Sequence, residues 1–172
     1  MALQSPQLHV TVPAAAQEHT ADLLVLVAAA CSVGAAGIHF AVIPEHLAEY
    51  RPFGVFFVAI AVLQALWAIL ALGYPRRSLL LLGAAANLAT LALWVFTRTK
   101  GLPIGPEPWT PEKFGLLDAI TAVFEIGLLS SVTLVLGGVR LPVRRLNVVA
   151  GLTIALIAIL TSVALLGAGM PQ

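Results

Sequence analysis

Charge is what this sequence has least of. Of its 172 residues, 10% are Asp, Glu, Lys or Arg, and 60% are hydrophobic. Soluble domains average about 25% charged residues. So little polar surface cannot cover a water-soluble fold of this length. Cysteine is almost missing too. Cys31 stands alone, so no intrachain disulfide can form, and its apolar surroundings make it a small packing residue. Residues 1–22 hold no Lys or Arg. A secretory leader needs a positive start, so the first apolar run is expected to stay in the mature protein. The stretch Ala28-Ala29-Ala30-Cys31 lacks the branched residue that a lipid-attachment site carries three before its cysteine. The net charge is only +1. No basic stripe with interleaved aromatics exists, which removes nucleic acid from the expected partners. Nucleotide-phosphate loops, nucleophile elbows and zinc-protease helix motifs are absent as well.

What the chain does have is five long apolar runs: Leu23–Ile43, Phe53–Gly73, Ser78–Thr97, Gly115–Gly137 and Leu146–Ala168. Each is near the roughly 20 residues that span a bilayer as a helix. The runs are continuous rather than alternating, and rich in Leu and Ala. In lipid, helices of this kind satisfy their own backbone hydrogen bonds. Prolines punctuate the gaps at Pro44, Pro52, Pro75, Pro103, Pro106, Pro108, Pro111 and Pro142. The expected fold is all-α: a polytopic membrane bundle of five transmembrane helices, with a four-helix polar core and one packing helix. It occupies a single domain over residues 23–168. Residues 1–22 form a flexible tail and residues 169–172 a short C-terminal one. The lipid bilayer is the first expected partner.

Orientation follows from Lys and Arg in the short loops. One side carries Arg76, Arg77, Arg140, Arg144 and Arg145. The other carries Arg51, Arg98, Lys100 and Lys113, interleaved with Glu45, Glu49, Glu107 and Glu112. This places the N-terminus in the cytoplasm and the protein in the cell membrane. It also gathers nearly all the remaining chemistry at the extracytoplasmic face.

Three clusters carry that chemistry. The first is His39 with Pro44-Glu45-His46 and Glu49. Pro44 predicts a bend, then a short interfacial helix whose N-terminal dipole is complemented by Glu45. His46 and Glu49 are three apart and share a face. Two imidazoles and two carboxylates within eleven residues are metal-ligand types, although the spacing matches no metal motif. The second cluster is Asp118 and Glu125, two helical turns apart on one face. Glu125 falls near the middle of its run. A charged acid there costs about 2.5–3.5 kcal/mol on insertion scales, so it faces the interior, pairs with a cation or carries a proton. Asn87 and Gln64, at similar depth, are its expected hydrogen-bond partners. The third cluster is the stiff loop from Thr97 to Trp109, with Arg98 placed to clamp Asp118 as an ion pair. Trp94 and Trp109 fit an interfacial aromatic belt.

The pattern Gly37-Ile-His39-Phe, Pro44-Glu45-His46, Gly54-x-Phe56-Phe57, Gln64, Asn87, Thr97-Arg98-Thr99-x-Gly101-x-Pro103, Asp118 and Glu125 resembles an uncharacterised family of small multi-pass membrane proteins of high-GC Gram-positive bacteria. The resemblance covers about residues 34–130 and implies no activity. A di-iron carboxylate bundle does not fit, because it needs two Glu-x-x-His pairs and this chain has none.

The residues therefore leave three readings open. In one, His39, His46, Glu45, Glu49, Asp118 and Glu125 supply ligands to a transition metal or a haem. In the second, the polar face docks a membrane-protein partner or another copy of the chain, making it a non-catalytic subunit or assembly factor. In the third, Glu125 serves passage of a small solute or a proton.

Overall fold

A computed structural model describes residues 14–139 and 143–168. Five helices follow one another with no strand among the described residues: α1 (Ala14–Glu49), α2 (Arg51–Gly73), α3 (Arg77–Thr99), α4 (Leu116–Leu136) and α5 (Val143–Ala168). Four of them, α1 to α4, are long and apolar enough to cross a membrane. In α5 the apolar stretch is shorter, Asn147–Val163.

Two expectations about α1 are overturned. The helix begins at Ala14 rather than Leu23, so part of the expected tail is helical, while residues 1–13 lie outside the described residues. The bend at Pro44 is also missing. Pro44 sits inside a continuous helix of 36 residues. Proline removes one backbone donor, and apolar spanning helices tolerate that loss. The real break is Tyr50, whose extended backbone (φ −157°, ψ 113°) alone separates α1 from α2. Pro52 then occupies the first turn of α2, where a missing donor is harmless. Glu45 therefore lies in the last turns of α1 rather than at a helix start, and the expected dipole complement does not exist.

Helix α1 is the hub. It packs along α2, α4 and α5, and it is the most buried of the spanning helices, whereas α3 is the least. Its sequence explains this: Ala28, Cys31, Ser32, Ala35 and Ala36 are all buried, and small side chains let helix backbones approach. Gly34 shows how close the approach is. A Cβ added there would lie 2.7 Å from the Phe124 ring of α4 and 2.9 Å from Ile157 of α5.

The helices α1, α2, α3 and α4 close a ring. Neighbours touch, while α1 and α3, and α2 and α4, share no backbone contact among the described residues. The expected packing helix, α5, rests outside that ring on α1 and barely touches α4. The diagonal gap at the centre of the ring must be filled by side chains. How it is filled differs between the two ends.

Candidate functional site

At mid-helix, each member of the ring sends one polar side chain to the centre: His39 from α1, Gln64 from α2, Asn87 from α3 and Glu125 from α4. All four are buried, Glu125 to 2% exposure and His39 to 6%. At 1.5 Å per residue each lies about 13–20 Å from the helix end nearest the Arg98 loop. Gln64 Nε2 donates to Glu125 Oε1 (3.3 Å) and to Asn87 Oδ1 (3.1 Å). Asn87 in turn donates to the Gly83 carbonyl of its own helix (2.8 Å). Of the two partners expected for Glu125, Gln64 reaches it directly and Asn87 only through Gln64. Ser32 Oγ adds a bond to the Gln64 backbone carbonyl (2.8 Å).

His39 completes the belt from the other side. Its Nε2 lies 3.8 Å from Glu125 Oε1, too far for a hydrogen bond, and has no hydrogen-bond partner although buried. A polar atom in that state is costly, and native interiors leave few of them. The ring of His39 packs near Phe57 (centroids 5.4 Å apart). His46 stacks on the same Phe57 (4.2 Å, 13° between planes). Phe57 thus bridges the two histidines, a role that sequence reasoning missed. The available signal was Phe53 and Phe57 spaced one helical turn apart beside His46.

Above the belt, the ring opens into a cavity of about 1150 Å³. Both His39 and Glu125 line it at depth, and Glu45, His46, Glu49 and Lys113 line it nearer the exposed end. Val163 shows that α5 contributes to the wall as well. The pocket is large enough for a small organic molecule.

The loop beyond α3 helps to build the mouth. Arg98, with a side chain only 7% exposed, pairs with Asp118 as expected and also with Glu112, which had not been assigned to it. A third bond goes from Arg98 Nη1 to Thr97 Oγ1 (2.9 Å). Asp118 additionally accepts the Gly115 N–H at the start of α4 (3.2 Å). This clamp ties the end of α3 to the start of α4. The loop between them folds back on itself: Trp109 N donates to the Leu102 carbonyl (2.7 Å) and Glu112 N to the Thr97 carbonyl (3.1 Å). Gly101 makes the return possible. Its φ of +73° is left-handed, and a Cβ there would run into the Thr110 backbone. Trp109, expected at the aromatic belt, is 62% exposed and has φ +60°.

The six residues expected as metal ligands fall into three places. His39 and Glu125 approach each other in the belt. His46 and Glu49 bond at the end of α1 (3.2 Å), near Glu45 in sequence. Asp118 is taken by Arg98. Among the described residues, no three His, Cys, Asp or Glu side chains gather closely enough to hold a metal ion. The physical reason is the straight passage of α1 through Pro44. It carries His46 and Glu49 nearly two turns beyond His39, toward the mouth.

No protein-family model matches the chain, and no curated protein and no solved structure matches it.

Proposed function

We propose that the chain is an integral membrane protein that crosses the cell membrane five times and binds a lipid-soluble small molecule in the cavity above the polar belt. The N-terminus is cytoplasmic, so the cavity opens toward the extracytoplasmic face. His39 and Glu125 form its floor and hold a proton between them. Ionisable side chains at this depth mark ligand or proton sites. The observation that carries the reading is the His39 Nε2, buried and without a hydrogen bond at the base of a cavity of about 1150 Å³. A bound molecule with a polar head would supply the missing bond, and its apolar body would meet the cavity's hydrophobic wall.

The test is native mass spectrometry of the protein purified in mild detergent, beside the variant Thr90→Phe, which adds a ring to the cavity wall. A small molecule that travels with the protein, or is taken up from a hydrophobic library, and is lost in the variant is the expected result. Equal retention by the variant would move the site elsewhere. Metal or haem on His39 is the competing occupant, because it would satisfy the same nitrogen. Elemental analysis and an optical spectrum of the same sample separate the two. Stoichiometric metal or a Soret band that disappears in His39→Ala would favour that occupant.

A further inference from the structure

The wall of the cavity is not neutral. Five carboxylates line it (Glu45, Glu49, Glu112, Asp118 and Glu125) against two cations, Arg98 and Lys113. Arg98 does not reverse the balance. It is held by Glu112 and Asp118 together, so that cluster keeps a formal excess of negative charge. Glu125 is the deepest of the acids and has no Lys or Arg partner, only Gln64 and the distant His39. Where the low-dielectric interior of a membrane protein surrounds a charge, Coulomb interactions are stronger than in water. A cation entering the cavity is therefore attracted along its whole depth, and an anion is repelled.

The aromatic lining adds to this. Phe53, Phe56, Phe57 and Trp94 all border the cavity. Phe57 is already stacked with His46, while Trp94 meets Phe114 edge-on (83° between planes). Aromatic faces attract organic cations. An unpartnered buried imidazole nitrogen, an excess of carboxylates and several aromatic rings in one apolar cavity describe a site for a positive, hydrophobic guest.

We infer that the ligand of this cavity is a lipophilic organic cation, such as a hydrophobic amine, quaternary ammonium or phosphonium. The inference rests on the small-molecule reading above and names its ligand class. Glu125 is the counter-charge at the floor. Glu45 and Glu49 are the attracting charges at the mouth.

Three probes of nearly one shape and different charge test it: tetraphenylphosphonium, tetraphenylborate and neutral triphenylmethanol. Binding to the full-length protein in detergent is read by tryptophan fluorescence and by the shift in melting temperature. The phosphonium is expected to bind about tenfold or more tighter than the other two. Glu125→Gln removes most of that preference, and the double variant Glu45→Gln/Glu49→Gln, altered only at exposed positions, reduces it in part. Should Glu125→Gln fail to fold, the double variant and the three-probe ranking still decide. Equal or tighter binding of the borate or the neutral probe overturns the cation inference and leaves the small-molecule reading standing. Binding of none of the three overturns both.

Discussion

The two halves of the helix ring are built from the same four helices and end in opposite ways. Below the polar belt the diagonal gap is closed by bulk. Trp67 lies in the space that Gly83 leaves open and donates its Nε1 to the Leu79 carbonyl (2.8 Å). Leu80, Leu128 and Val132 are buried beside it in one apolar core. Above the belt the corresponding wall holds Thr90, Thr97 and Thr121 along with ionised side chains, and the gap stays open as a cavity. The contrast teaches what a carboxylate does to packing. Apolar side chains gain dispersion energy by filling every gap. Charged ones keep their distance from apolar neighbours and hold a volume for something polar. The belt of His39, Gln64, Asn87 and Glu125 is the boundary between the two regimes.

The sharpest way to break this comparison is chemical access. In a Cys31→Ala background, Thr121→Cys lines the cavity and Leu128→Cys, two turns deeper on α4, lies in the closed half. A membrane-impermeant thiol reagent added outside intact cells is expected to label Thr121→Cys to completion and to leave Leu128→Cys unmodified. Equal labelling of both would mean that the lower half is open too. Labelling of Thr121→Cys only after the cells are broken would reverse the orientation.

Stability should divide along the same line. Trp67→Ala empties the closed half. Large-to-small changes at buried tryptophan cost about 3–5 kcal/mol in soluble cores. Helices that pack within lipid lack the hydrophobic transfer part of that cost, so a loss of about 2–4 kcal/mol is expected here, read by unfolding in mixed detergent. In the open half, Phe56→Ala removes a ring that is already exposed and should cost less than about 1 kcal/mol. A reversed order would show that the cavity wall, not the Trp67 core, holds the bundle together.

Between these effects lies the clamp at the mouth. Arg98→Gln leaves Asp118 and Glu112 without their cation. Both acids are partly exposed, so solvent screens some of the penalty. The expected loss is about 1–3 kcal/mol, with faster proteolysis of the loop between α3 and α4. Unchanged protease resistance would mean that the loop is held by its backbone bonds and by Gly105 packing against Phe53 rather than by the ion pairs.

Much of this layout is legible in the residues. Long apolar runs fix where α2, α3 and α4 lie to within one or two residues, because a helix in an apolar medium leaves no other way to pair the backbone. The Arg98–Asp118 pair is legible as well, since both residues sit at helix ends facing one short loop. The second acid on Arg98 was hidden, because Glu112 belongs to an irregular loop whose path depends on left-handed glycine turns. Pro44 misled for a different reason. Proline signals a break in water, where freed carbonyls can be solvated, and that signal is weak inside a helix held by its neighbours.

Composition alone determined that this chain is helical, apolar and suited to a membrane, and hydropathy placed its few charges near one end. Those properties are local: they follow from side-chain transfer energies and the 1.5 Å rise of a helix. Only the tertiary structure decided that Gln64, Asn87, Glu125 and His39 meet at one level, that α5 stays outside the ring, and that the upper half remains open. Each of these depends on the order of helices around the bundle and on their relative rotation. Small residues such as Gly34 and Gly83 set that order through close packing, and no periodicity along a single helix encodes it.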